Sequence, residues 1–263
     1  MNQRAFKETI SLSWTAIKAS PLRTVLTSLI ISFGIMALVG ILSATDALKQ
    51  SLESNFTSLG ANTLTIRNSQ GGFFVNNADY RQNPEITYRE ALAFKERMDY
   101  PGSKTSLTYI ASGTAKLSYD NTSTNPNTQI VATDENYMYT GGFELAEGRN
   151  FNLDDVYSGR NYTILGSETK TTLFDQESAV GKNIRIKGKP YLVIGVLAEK
   201  GSSGMFSGDR GAWVTMNYAR ANFSGGRPNY ILSINAPNAE TLEAVQGQSF
   251  SLMRSVRKLV PKE

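Results

Sequence analysis

The chain has 263 residues, of which 40% are hydrophobic and 19% charged, and its formal net charge is +4. It contains no cysteine and no histidine, which excludes disulfides, thiolate or imidazole metal sites, and catalytic triads that need either residue. Its basic residues are scattered, whereas a nucleic-acid surface needs them clustered with aromatic residues. The phosphate-binding pattern GxxxxGK[ST] is absent as well. We therefore expect no catalytic residue, no cofactor, no metal site and no nucleic-acid partner.

The first 21 residues are basic and carry one apolar stripe. Its members recur at helical spacing and are Phe6, Ile10, Trp14 and Ile17. The Ser20-Pro21 pair ends this pattern. Residues 1–21 are therefore predicted to form an amphipathic helix at the cytoplasmic face of a membrane, in contact with lipid.

An uncharged apolar run extends from Thr24 to Thr45. As a helix it measures about 33 Å, enough to cross a hydrocarbon core of about 30 Å. The run is longer than the apolar core of a signal peptide, and no clean small-x-small cleavage site follows it, which favours a retained anchor at 22–45. Basic residues dominate before the run, so the positive-inside rule predicts a cytoplasmic N-terminus and an extracytoplasmic domain after it.

Small residues in this run are candidates for a face that packs against another membrane helix. They are Ser32, Gly34, Ala37 and Gly40. The same residues are equally compatible with ordinary lipid-facing positions, and both interpretations stay open.

Beyond the run, residues 46–60 keep apolar residues at helical spacing until Gly60, which predicts a helical stalk. Residues 62–67 alternate as a half-buried strand does, and residues 87–98 predict a helix that begins with a Thr87–Glu90 capping box. Residues 106–119 and 128–133 are predicted strands.

After Tyr137 short strands alternate with glycine-centred turns. Lys187-Gly188-Lys189-Pro190 joins two alternating runs as a hairpin connection does, and residues 167–174 form a short predicted helix. The predicted class is α+β, with one transmembrane helix followed by a mixed α/β domain that a β-rich subdomain interrupts. The predicted boundaries are 61–135 with 225–260 for the α/β part and 136–224 for the insert.

Two features resemble functional motifs but have simpler interpretations. The glycine-rich residues 201–211 predict a flexible loop, in which Met205 and Phe206 are candidates either for a partner contact or for burial against the domain. The adjacent acid pairs Asp154-Asp155 and Asp134-Glu135 are more typical of solvated turns or helix N-caps than of acid–base sites.

The order of motifs resembles a known family. The segments FTSLGANTLTI, VATDENYM, FELAEGRNF, ILGSETKTTLF and VGKNIRIKGKPYLVIGVLAEKG occur at 56–66, 131–138, 143–151, 164–174 and 180–201. Together they resemble the N-terminal half of MacB-like, FtsX-type ABC transporter permeases, over essentially the whole chain. Each segment alone is weak evidence for the family, whereas the order and spacing of the five segments are specific to it.

The resemblance implies a dimeric inner-membrane permease that transmits motion from a cytoplasmic ATPase to its periplasmic domain for export or extrusion. The permease partner is the same or a different chain, and a periplasmic adaptor or outer-membrane protein is a further implied partner. The sequence stops at residue 263, where the family continues into three further spans, so we expect a fragment of a longer permease. The alternatives are an anchored binding or scaffold module without an ATPase and an anchored hydrolase using Asp154, Asp155 and Glu168.

Overall fold

The computed structural model describes residues 18–58, 62–68, 84–200, 208–223 and 228–258. The chain divides into two compact units, residues 1–55 and 56–263. The stripe of the predicted amphipathic helix, together with Gly60, Met205 and Phe206, lies outside the described residues.

Seven helices and a 3-10 turn occur in the described part of the chain. They are α1 (Pro21–Ser58), α2 (Tyr88–Arg97), α3 (Tyr137–Thr140), α4 (Leu153–Tyr157), α5 (Ser167–Phe174), α6 (Met216–Asn222), α7 (Leu242–Val256) and the turn Gly208–Arg210. Helix α1 is continuous over 38 residues, about 57 Å at the usual rise, so it contains both the predicted span and most of the predicted stalk.

The strands of the described residues are β1 (Thr63–Ile66), β2 (Lys104–Ala115), β3 (Leu117–Tyr119), β4 (Thr122–Ser123), β5 (Thr128–Thr133), β6 (Leu145–Gly148), β7 (Tyr162–Leu165), β8 (Asn183–Ile186), β9 (Lys189–Leu197), β10 (Gly211–Thr215) and β11 (Ile231–Asn235). They form one mixed sheet in the order β1-β11-β2-β5-β10-β7-β9-β8-β3-β4, and β6 pairs with β9. The β5–β10 and β7–β9 pairs are parallel and the others antiparallel.

The core lies on both faces of the central strands. All five residues of β10 are buried, as are the consecutive residues 105–109 of β2, which requires cover on each face. Helices α2 and α6 pack against β2, and α2 also packs against α7. The predicted mixed α/β architecture is therefore present.

Two local predictions are confirmed in detail. The Thr87 side chain accepts from the Glu90 N–H while Glu90 reaches back to the Thr87 N–H, so α2 begins with a capping box. Lys187 and Gly188 connect β8 to β9 as a two-residue turn with φ of +49° and +81°. Positive φ at both central positions is the requirement of a type I′ hairpin, which glycine meets without strain.

The structure also differs from the sequence-based expectations in the glycine-rich segment 201–211. Its described part is a 3-10 turn, in which Gly208 and Asp209 are buried and Arg210 is exposed, followed by the buried strand β10. The flexible-loop prediction is wrong for residues 208–211, because Gly208 packs closely on Phe143 and Trp213.

The boundary at residue 136 falls within a continuous sheet. Strand β10 of the predicted insert pairs directly with β5 of the predicted α/β part. Strands β3 and β4 lie beside β8 at the far end, although their sequence precedes the predicted insert. The division into subdomains stays a prediction.

Candidate functional site

The most exposed apolar feature of the described residues is helix α1. The most apolar 18-residue stretch of its segment Pro21–Lys49 has a mean hydropathy of 2.5, and no residue of that stretch is buried by other parts of the protein. Ile30 and Met36, for example, are 64% and 65% exposed. A core helix of a soluble domain buries its apolar side chains, so this helix is suited instead to a lipid environment.

The small residues of α1 named above are exposed, and no other part of the described chain packs on them. A Cβ added at Gly34 or Gly40 meets nothing within 4 Å. At about 100° per residue, Gly34, Ala37 and Gly40 fall within about 120° of the helix circumference, whereas Ser32 lies farther around. The helix-packing face stays a prediction. Gly34, Ala37 and Gly40 would form the centre of that face, and Ser32 would lie at its margin.

A buried ionic cluster lies at the end of β5. Lys95 Nζ on α2 donates to Asp134 Oδ2 at 2.7 Å and to Glu135 Oε1 at 2.8 Å. Asp134 is only 4% exposed and also accepts from the backbone N–H groups of Leu107 and Asn136. One carboxylate thus joins α2, β2 and the turn that leads into α3.

Burial and the neighbouring charges have opposing effects on the pKa values of Asp134 and Lys95. Burial raises the pKa of Asp134 to about 6, with Glu135 adding to the rise and Lys95 opposing it. Burial alone would lower the pKa of Lys95, but the two carboxylates outweigh it and raise that pKa. Because each polar group of the cluster has a partner, the geometry fits a structural junction better than an acid–base centre.

A second carboxylate, Asp155, is held by Arg149 at 2.6 Å and is 2% exposed. Its side chain also caps helix α4 by accepting from the Asn152 N–H. Burial opposes ionisation, but the hydrogen bonds from Arg149 and Asn152 outweigh it and lower the pKa of Asp155. The expectation of a solvated turn is therefore wrong for both Asp134 and Asp155, because both side chains are buried. Asp134 binds donors that are distant in sequence, whereas the partners of Asp155, Arg149 and Asn152, lie six and three positions before it.

The residues proposed for a hydrolase are not assembled into a site. Asp155 binds Arg149, Glu168 binds Arg210 Nε at 2.7 Å, and Asp154 is exposed on α4. Among the described residues, no group of three or more acidic side chains is arranged to hold a metal ion. Spacing in the sequence gives no signal for the Lys95–Asp134 pair, which joins residues 39 positions apart.

Comparison with known proteins identifies the family and the relatives that this chain resembles. Residues 24–249 match the family model of the MacB-like periplasmic core domain. The Macrolide export ATP-binding/permease protein MacB of Hahella chejuensis is 31% identical over 256 residues, which cover 96% of this chain and 37% of that protein. The protein of the same name from Salmonella paratyphi A is 31% identical over 199 residues, covering 75% and 29%. The chain thus spans about a third of the length of these relatives.

Solved structures support the fold. The periplasmic region of MacB from Actinobacillus actinomycetemcomitans has a TM-score of 0.58 at 20% identity, covering 78% of this chain and 88% of that one. The extracellular domain of the noncanonic ABC-type transporter YknZ from Gram-positive bacteria has a TM-score of 0.54 at 21% identity, covering 75% and 95%. Since the family match covers nearly all of helix α1 and most of the described domain, the chain belongs to the MacB-like ABC transporter permeases, of which it carries the periplasmic core domain.

Proposed function

We propose that this chain is the N-terminal portion of a permease subunit that transmits ATP-driven conformational change from a cytoplasmic ATPase to the periplasm, for export or extrusion of a substrate. The observation that carries the proposal is the continuity of α1, which runs from Pro21 beyond the span to Ser58. A helix without a break can transfer a displacement along its axis, whereas a flexible linker would absorb it. The names of the relatives, which join ATP-binding and permease, support the ATPase as partner.

The proposal places the N-terminus in the cytoplasm and the domain in the periplasm, with the protein in the bacterial inner membrane. It also includes a homo- or heterodimeric permease partner and a periplasmic adaptor or outer-membrane protein. The scattered basic residues before the span support the orientation. A membrane-impermeant thiol reagent tests it, since Asn121→Cys would be labelled in intact spheroplasts and Gln3→Cys only after lysis.

We propose further that Ser32, Gly34, Ala37 and Gly40 contribute to a helix interface in the membrane, with Gly34, Ala37 and Gly40 at its centre. The absence of cysteine makes this testable by single substitutions. Ala37→Cys is expected to form a disulfide-linked dimer on mild oxidation of native membranes. Ile35→Cys, on the opposite side of the helix, is the matched control, and equal crosslinking of both variants would reject this face for a homodimer.

The function itself is tested by purification of the full-length gene product, tagged at its N-terminus, from native membranes. Mass spectrometry is expected to recover a cytoplasmic ATPase in near-equal amount. A known ABC transporter purified in the same detergent provides the control for complex integrity. If that control retains its ATPase and this protein recovers none, the chain is an anchored binding or scaffold module instead.

A further inference from the structure

Strand β1 is an edge of the sheet in the described part of the chain. It pairs with β11 there, and the Ala236 N–H donates to the Asn62 carbonyl at 2.8 Å. Hydrogen-bonded and non-hydrogen-bonded pairs alternate in an antiparallel ladder, so Thr65, three pairs further on, turns its N–H and C=O away from β11. The outer edge of β1 therefore presents backbone groups that another strand can bind.

Two cavities flank this edge, one on each face of the sheet. The helix-side cavity, of about 350 Å³, lies between β1 and α7 and is lined by Leu64, Ile66, Phe250 and Met253 together with arginines. The second cavity, of about 450 Å³, lies on the opposite face and is lined by Ile110, Val131, Ile231 and Ser233, with Tyr137 of α3. Thr65 and Arg67 line both cavities.

This arrangement matches the geometry of an added strand. Successive side chains of an extended chain point to opposite faces, so a segment paired with Thr65 would direct its side chains alternately into the two cavities. Each cavity includes one exposed apolar side chain, Phe250 at 63% on the helix side and Ile110 at 44% on the opposite face. Backbone pairing supplies affinity in this mode and the flanking cavities supply selectivity.

The charge around the edge is positive. Arg67, Arg254 and Arg257 line the helix-side cavity. Arg257 is already engaged with Glu90 at 3.4 Å and with the Pro84 carbonyl. Among the described residues Arg67 and Arg254 form no ion pair with a carboxylate, and Arg254 instead lies over the Phe250 ring at 5.4 Å. Two guanidinium groups are thus left available to carboxylates of a ligand.

We infer that an extended, acidic polypeptide segment of a partner protein binds at the β1 edge and adds a strand to the sheet. Its apolar and carboxylate side chains alternate along the segment, so the two kinds enter opposite cavities. The inference concerns the domain alone and does not depend on coupling to an ATPase. Its recognition elements are the outward backbone of Thr65 and the side chains of Arg67 and Arg254.

The test uses the full chain in nanodiscs and a fluorescent nonapeptide of alternating valine and glutamate. Fluorescence anisotropy is expected to show saturable binding, at least about tenfold tighter than for a valine–lysine peptide of the same length. A valine–glutamate peptide with every second backbone amide N-methylated on the pairing edge is expected to bind at least about tenfold more weakly. This comparison leaves the protein unchanged, so folding cannot account for its outcome.

Variants of the edge complete the design. Thr65→Pro removes the outward N–H without removing a bond to β11 and is expected to weaken binding about tenfold, while Thr65→Val retains that N–H and binding. Arg67→Glu is expected to weaken valine–glutamate binding and to improve valine–lysine binding. Equal binding of the N-methylated and unmodified peptides, or unchanged binding by Arg67→Glu, would overturn the inference. Binding of equal strength to empty nanodiscs would overturn it too, because the lipid would then be the binding partner.

Discussion

Replacing Asp134 with alanine is expected to lower the free energy of unfolding of the domain by about 3 kcal/mol at pH 7.5. The buried carboxylate accepts from Lys95 Nζ and from two backbone N–H groups, and the Leu107 N–H is itself buried. Alanine leaves these donors without their acceptor in a place that water does not freely reach. Urea unfolding of the full chain in detergent, followed by Trp213 fluorescence in a Trp14→Phe background, measures the loss.

The matched control is Glu96→Ala, which changes an exposed carboxylate on the same helix as Lys95. Its expected effect is within about 0.5 kcal/mol. A loss below about 1 kcal/mol in Asp134→Ala would show that the cluster does not hold α2 against β2.

The stability loss in Asp134→Ala is also expected to depend on pH. Because burial raises the pKa of Asp134 to about 6 from an ordinary value of 3.8, the folded state binds this proton more tightly than the unfolded state does. The contribution of this carboxyl group to stability is therefore full below pH 3.8 and decreases as the pH rises through 6. The stability difference between wild type and Asp134→Ala is expected to be larger at pH 4.5 than at pH 7.5, and the reverse order would refute the raised pKa.

The second large effect is expected at Gly148, where alanine should cost about 4 kcal/mol or prevent folding. This residue has φ of +79°, and an added Cβ would lie 2.2 Å from the Ile194 carbonyl oxygen and 2.8 Å from the Gly195 Cα. Both contacts are with the backbone of β9, which cannot yield as a flexible side chain would. Strand β6 would consequently lose its close pairing with β9, where Gly148 faces Gly195.

Gly181→Ala separates conformational strain from the clash. Gly181 has φ of +83°, but an added Cβ there meets nothing within 4 Å. Only the left-handed conformation opposes alanine at this position, at a cost of about 1 kcal/mol. Urea unfolding of the two variants side by side measures the difference, and equal losses would mean that β9 moves to accommodate the added methyl group.

These two sites differ in how well the sequence identifies them. Gly148 lies in the segment FELAEGRNF that carries the family resemblance, yet nothing within that segment reveals the approach of β9. Asp134 resembles a solvated turn residue in sequence, and its burial follows from Lys95 and Leu107, which precede it by 39 and 27 positions. The described structure gives no test of Met205 and Phe206, which stay predictions.

The sequence by itself determined the features that depend on neighbours a few residues apart. The apolar length of α1, the Thr87–Glu90 capping box and the Lys187–Gly188 turn each follow from local spacing and backbone preference. Only the tertiary structure decided the parallel pairing of β5 with β10 and the position of β3 and β4 beside β8. It also decided which acids are buried and, within the described residues, that β1 lies at one edge of the sheet. These outcomes arise from contacts between segments far apart in the chain, where many pairings satisfy the same alternating pattern and only simultaneous packing of the whole core selects one.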